Sequence, residues 1–178
     1  MKHLYLLRHA KSDWDEPVSD HERPLSSRGH RSGDLIASYL RAQSIHPELI
    51  LCSSAARTRA TLAHLLPVLG DGTAINVERD LYGAAATDML ARIRNVDDAV
   101  DSVMVIAHNP GTEDLASTLA DSGDKAARAR MNAKYPTAGL ASFEFDGDSW
   151  RDLGPGRARL TGFVVPRDLE GKPDEVWP

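Results

Sequence analysis

A single cysteine, Cys52, removes intramolecular disulfides from any account of this chain's stability. One thiol also cannot build a multi-cysteine zinc site, and its setting in Leu49-Ile50-Leu51-Cys52 reads as a small buried side chain. Long apolar runs are missing as well. No stretch approaches the roughly 20 residues that span a bilayer, and the short N-terminal run meets Arg8, His9 and Lys11 too soon for a secretory leader. Excess positive charge is absent too: the net charge is −5 at pH 7, which gives no surface-wide attraction for nucleic acid. These absences lead to the expectation of a cytoplasmic protein that binds neither membrane nor nucleic acid. The 178 residues suit one domain over 1–178, large enough to bury roughly 70% of its unfolded surface without a metal or cross-links. Residues 170–178, with two prolines, a glycine and several charges, read as a loosely packed tail. There is no internal repeat, low-complexity tract or linker.

What the chain does contain is an alternation of apolar runs and amphipathic segments. Leu4 to Leu7, Glu48 to Cys52 and Val103 to Ile106 suit strands buried on both faces of a parallel sheet. Helical faces are marked by Leu35, Ile36, Tyr39 and Leu40, by Leu62, Leu65, Leu66 and Leu69, by Met89, Leu90, Ile93 and Val96, and by Leu115 and Leu119. Pro67 should end the second of these helices early. Ala141, Phe143 and Phe145 alternate with polar residues as in a half-exposed strand, and Gly162 to Val165 is a further strand candidate, the two adding an antiparallel edge or extending the sheet. A further helix fits within the alanine-rich segment 121–136. The pattern predicts a three-layer α/β/α sandwich around a mostly parallel sheet.

In such sheets ligands gather at the carboxyl ends of the strands, and three predicted strands end in polar chemistry: Arg8-His9, Ser53-Ser54 with Arg57 just beyond, and His108-Asn109-Pro110. A neutral imidazole at His9 is a candidate nucleophile, and the charge of Arg8 favours that neutral form. Arg57 falls in the first turn of a helix capped by Ser53 or Ser54, where free N–H groups attract anions and a guanidinium adds a bidentate clamp. His108, with Asn109 as N-cap and Pro110 as first helical residue, is positioned to donate, when protonated, to a phosphoryl oxygen. Arg23 folds over the pocket as a further anion contact or pairs with Asp20 or Glu22. Arg59, His21 and His30 read as solvent-facing.

Taken together these residues resemble the histidine phosphatase superfamily, of phosphoglycerate-mutase-like fold, and more narrowly its SixA-type phosphohistidine phosphatases. The Arg-His-Gly/Ala motif stands here as Arg8-His9-Ala10, and Arg-Pro-Leu-Ser/Thr-x-x-Gly as Arg23-Pro24-Leu25-Ser26-Ser27-Arg28-Gly29. Ser-x-x-x-Arg-x-x-x-Thr runs from Ser53 to Thr61 with Arg57 in the arginine position, and His-x-Pro is His108-Asn109-Pro110. Four motifs in order cover roughly the first two-thirds of the chain. The chain departs from the family at Ser54-Ala55, where Pro-Leu is usual, and at Thr58 and Ala60, where Ala and Gln are usual.

The resemblance implies a phosphatase with His9 as covalent nucleophile, Arg8, Arg57, His108 and Arg23 binding phosphate, and no metal or other cofactor. The larger members place a carboxylate after the third strand as general acid. Glu78 and Asp80 lie in that region but in no alignable motif, and neither is assigned to the site. A phosphate ester expels an alkoxide and needs that acid; phosphohistidine expels an imidazole and does not. The expected partner is therefore a protein phosphorylated on histidine. A small phosphorylated substrate, such as a phosphate ester, and a catalytically weak phosphate-binding regulatory module are the alternatives, and a mutase has too little chain here to enclose a sugar phosphate.

Overall fold

The computed structural model describes all of residues 1–178. Seven strands form one sheet: β1 (Lys2–Arg8), β2 (Leu49–Ser53), β3 (Ala74–Glu78), β4 (Ser102–Ala107), β5 (Ala120–Gly123), β6 (Leu140–Phe145) and β7 (Ala158–Val164). Their spatial order is β3-β2-β4-β1-β6-β7-β5. The pairs β3/β2, β2/β4, β4/β1 and β7/β5 are parallel, whereas β6 runs antiparallel to both β1 and β7. The expected mostly parallel sheet is present.

Six helices complete the layers: α1 (Ser27–Ala42), α2 (Ala56–Leu65), α3 (Ala86–Arg94), α4 (Gly111–Leu119), α5 (Lys125–Ala133) and the short α6 (Pro166–Leu169). Side-chain alternation along the strands divides the core in two. Leu4 and Leu6 of β1, with Val103 and Val105 of β4, pack against Met89, Leu90, Leu115, Leu119 and Met131 of α3, α4 and α5. Leu7, Ile50, Cys52, Met104 and Ile106 pack on the other face against Ile36, Leu40, Leu62, Leu65 and Leu169 of α1, α2 and α6. β2 is buried at every position and β4 at all but its first, which is why both read as continuous apolar runs. As Pro67 implied, α2 stops at Leu65 and gives way to a single 3-10 turn.

Several expectations need correction. Of the two roles left open for β6 and β7, they extend the sheet and do not form its edge: β6 lies against β1 in the middle, and the edges are β3 and β5. Neither serine caps α2. Ala55 is its N-cap, without a side-chain bond, while Thr58 donates to the carbonyls of Ser53 (2.7 Å) and Ala55 (2.9 Å). α4 begins one residue later than expected, with Pro110 at the N-cap and Gly111 first. By contrast, Ser26 caps α1 by accepting from the Gly29 N–H at 3.1 Å. At the C-terminus residues 170–176 are exposed, and Trp177 rests against Tyr39 with ring centroids 6.5 Å apart.

Candidate active site

The loop between β1 and α1 is closed at its base. Ser12 and Leu25 form an antiparallel bridge, the Asp13 N–H donates to Pro24 (2.9 Å) and the Ser26 N–H to Lys11 (2.9 Å). A loop with pinned ends holds its own turn rigidly. That turn, Asp20–Glu22, lies on α2 and carries residues that matter below.

His9 sits one residue past β1. Its N–H donates to Ala107 of β4 (3.1 Å), its carbonyl accepts from the Ala138 N–H (2.9 Å), and it is only 6% exposed. The ring Nδ1 lies 2.7 Å from the Ala10 carbonyl. A carbonyl can only accept, so Nδ1 carries the proton and Nε2 keeps its lone pair. Burial drives the imidazole pKa down to about 3, helped by His108, Arg57 and, least, Arg8. Desolvation, rather than the neighbouring arginine that the sequence pointed to, is the main cause of its neutrality.

His108 follows β4 and is 7% exposed. The N–H and hydroxyl of Thr112, in the first turn of α4, both donate to its carbonyl at 2.9 Å. Its Nε2 is 2.8 Å from the Ser53 hydroxyl, and its Nδ1 has no partner. Burial first, then Arg57, pushes its pKa to about 4, so it is neutral at pH 7. The expected protonated donor is thus not the resting form. If Ser53 donates to Nε2, the same ring presents an Nδ1–H without carrying charge. The rings of His9 and His108 are 5.3 Å apart, tilted by 52°.

Three arginines surround the pair. Arg8 donates to the Tyr135 carbonyl at 2.9 Å, which Asn109 also reaches at 3.0 Å. Arg57, on α2 and 6% exposed, donates to the Asp20 carbonyl (2.7 Å) and carboxylate (3.1 Å). Arg23, 7% exposed, donates to the other oxygen of that carboxylate (3.1 Å) and to Ser12 (2.6 Å), and its guanidinium lies 3.4 Å from the ring centroid of the exposed Trp14. Of the two roles left open for Arg23, the structure displays the ion pair with Asp20.

Asp20 is therefore shared by Arg23, Arg57 and the Tyr82 hydroxyl, which donates to it at 2.5 Å. Tyr82 first, then Arg57 and Arg23, holds its carboxyl at about 2. Tyr82 in turn packs on His108 (5.6 Å) and His21 (4.8 Å). His21 is half-buried, not solvent-facing, and its Nε2 is 2.9 Å from the Ser54 hydroxyl. His30 is exposed, with Nδ1 2.8 Å from Nε2 of His64. Glu78 is engaged elsewhere, accepting from Arg92 at 2.6 and 3.0 Å, and Asp80 is exposed.

The fold thus gathers His9, Arg8, Arg57 and His108, and links Arg23 to them through Asp20. Tyr82, Ser53 as the partner of His108, and Asp20 as a shared acceptor were not identified from sequence as site residues. The sequence offered one signal for Tyr82, an aromatic beside Gly83; in the structure that glycine follows the 3-10 turn Arg79–Leu81 with a φ of +68°.

The family model for the histidine phosphatase superfamily, branch 1, matches residues 4–89. An uncharacterized protein of Mycobacterium tuberculosis is 44% identical over 163 residues, which cover 90% of this chain and all of that protein. The structure of a candidate phosphohistidine phosphatase SixA from Agrobacterium tumefaciens is 30% identical, with a TM-score of 0.79 over 93% of this chain and 98% of that one. A second such SixA, from Nakamurella multipartitia, is 26% identical with a TM-score of 0.81 over 93% and 96% of the two chains. A strand-end histidine pair and arginine cluster, set in a fold shared along nearly the whole chain, place this protein in the histidine phosphatase superfamily, in its SixA-type branch.

Proposed function

We propose that the chain is a phosphatase that works through a phosphohistidine at His9, and that its substrate is phosphohistidine on a protein. One observation carries the phosphate reading. Across the whole chain only four buried side-chain nitrogen or oxygen atoms lack a hydrogen-bond partner, and three belong to this cluster: Arg8 Nε, Arg57 Nε and His108 Nδ1. Buried polar groups are nearly always satisfied. Three orphans around one neutral imidazole fit a site that receives its acceptors from an anionic ligand.

In this reading Arg8, Arg57 and His108 bind the phosphoryl oxygens, and Arg23 joins them as the incoming group competes with Asp20 for guanidinium donors. Nε2 of His9 attacks phosphorus in line. The new Nε2–P bond forms as the substrate P–N bond breaks, and the departing imidazole takes a proton on its other nitrogen from solvent. Water then attacks phosphorus, the Nε2–P bond breaks, and inorganic phosphate leaves. Placement and charge neutralisation supply most of the rate, and the Nδ1 bond to Ala10 keeps the attacking nitrogen fixed and free.

The substrate choice rests on the carboxylates. An ester would require a protonated acid beside the leaving oxygen. Glu78 is bound to Arg92, and Asp20, held at about 2, is ionised at neutral pH. Both support a leaving group that needs no strong acid. The experiment is a trapping one. Brief reaction with a phosphorylated histidine substrate should leave acid-labile, base-stable phosphate on His9, and His9→Ala should carry none. Full phosphatase activity in His9→Ala would overturn the reading, and turnover of small esters far above that of phosphohistidine would overturn the substrate class.

A further inference from the structure

We propose that a basic cleft beside the site is a docking groove for an acidic segment of the phosphorylated protein. The proposal rests on the phosphatase reading above and names the chemistry of its partner. The cleft has a volume of about 540 Å³ and lies between the first turns of α1, the end of α5, the Pro136–Thr137 loop, and the end of β7 with α6.

Its position follows from strand register. Leu7 of β1 pairs with Leu140 of β6, which pairs with Val164 of β7, so these three residues form one row across the sheet. Beyond that row, on one rim, lie Arg8 and His9, the loop before Leu140, and Val165 to Arg167. The loop is bound to the nucleophile's own backbone, because the Ala138 N–H donates to both Arg8 (3.0 Å) and His9 (2.9 Å) carbonyls. Thr137, the preceding residue, lines the cleft. Tyr135, two residues further back, supplies the carbonyl that fixes Arg8. The same short loop is thus a wall of the site on one side and of the cleft on the other.

Its charge runs against that of the chain. Four cations line it, Arg28, Arg130, Lys134 and Arg167, against one carboxylate, Glu170, in a molecule of net charge −5. Arg130 is paired with Asp168 at 2.6 Å, whereas Arg28, Lys134 and Arg167 are exposed and form no ion pair. A solvated basic face would be polar throughout. This one has an apolar floor of Phe163, Val165 and Pro166, with Phe163 5% exposed and packed against Tyr135. An apolar centre within a charged rim is how protein segments are recognised. Three unpaired cations around it select a segment with Asp or Glu beside an apolar side chain, and their field steers an acidic partner to the one rim where the nucleophile waits.

The test uses the full-length protein and four probes: free phosphohistidine, two synthetic peptides with one phosphohistidine flanked by Glu and Phe or by Lys and Phe, and a fluorescein-labelled, unphosphorylated Glu/Phe peptide. The Glu-flanked peptide should exceed the Lys-flanked one in kcat/KM by about tenfold at low salt, with the gap closing as salt rises. Combining Arg28→Glu, Lys134→Glu and Arg167→Glu should abolish the preference and the anisotropy signal of the labelled peptide, while hydrolysis of free phosphohistidine stays unchanged. The single variant Lys134→Ala should show a partial loss and guards against misfolding of the triple variant. Equal turnover of both peptides by the wild type, or equal slowing of all substrates in the variants, would overturn the groove. Binding of the labelled peptide without turnover of any phosphohistidine compound would instead overturn the phosphatase reading and leave the groove standing.

Discussion

Asp20 is the residue on which the resting site turns. Its carboxylate occupies donors of Arg23 and Arg57 that the phosphoryl group is proposed to use, so substrate and carboxylate compete. A hydrogen bond to a charged group is worth about 1.5–3 kcal/mol. Asp20→Asn keeps the shape and removes the charge, and inhibition by inorganic phosphate should strengthen by about tenfold, equivalent to about 1.4 kcal/mol. Weaker inhibition would mean that Asp20 chiefly holds the arginines in place. Read locally, the stretch Asp20 to Arg23 shows only that a carboxylate and a guanidinium are close enough to pair. That Arg57, 37 positions later, takes the same carboxylate is information held in the tertiary structure.

At the scale of elements, the site is assembled by backbone contacts between strand ends and helix starts. Thr61 shows this most directly. It is 1% exposed; its hydroxyl donates to the Arg57 carbonyl (2.7 Å) and accepts from the Ala10 N–H (2.9 Å), tying α2 to the residue after His9. Thr61→Val should leave the Ala10 N–H buried and unpaired, a cost of about 1–3 kcal/mol, and should lower kcat as His9 shifts. Thr61→Ser should restore both, as read from thermal unfolding and steady-state rates. Element type was legible wherever burial was two-sided or periodic. β1, β2 and β4 announce themselves as apolar runs, and α1 and α3 as amphipathic stripes. β3 was not identified as a strand because it is an edge whose Ala74, Ile75, Asn76 and Val77 are all exposed, so packing imposed no pattern on it. β5, only four residues with exposed Asp121 and Ser122, was hidden for the same reason. The cap of α2 was misassigned because serine is a good N-cap in general, whereas here the hydroxyls of Ser53 and Ser54 are engaged by His108 and His21.

For the whole molecule, function costs stability in acid. His9 and His108 have folded pKa values of about 3 and about 4, below the ordinary 6.5. The unfolded chain therefore binds more protons than the folded one below pH 6.5, and stability, full above that value, falls as pH drops toward 4 and then 3. Asp20, depressed from 3.8 to about 2, adds a further loss as pH falls from 3.8 to about 2. Unfolding temperature should decline from pH 6.5 downward, and the combined His9→Gln and His108→Gln variant should flatten the slope between pH 6.5 and 4. An equally steep slope in that variant would place the acid sensitivity elsewhere. The position of β6 bears on a different matter, the order in which a working molecule comes into being. β1, which leads into His9, lies between β4 and β6, and the amide that binds the carbonyl of His9 belongs to Ala138, so the site is built from segments far apart in sequence. During synthesis His9 leaves the ribosome long before residues 140–145, so one side of its strand stays unpaired until they follow. Such distant closure slows folding and leaves a sheet edge open to mispairing in the nascent chain. The site is complete only late, with the third of the chain in which no family motif was read.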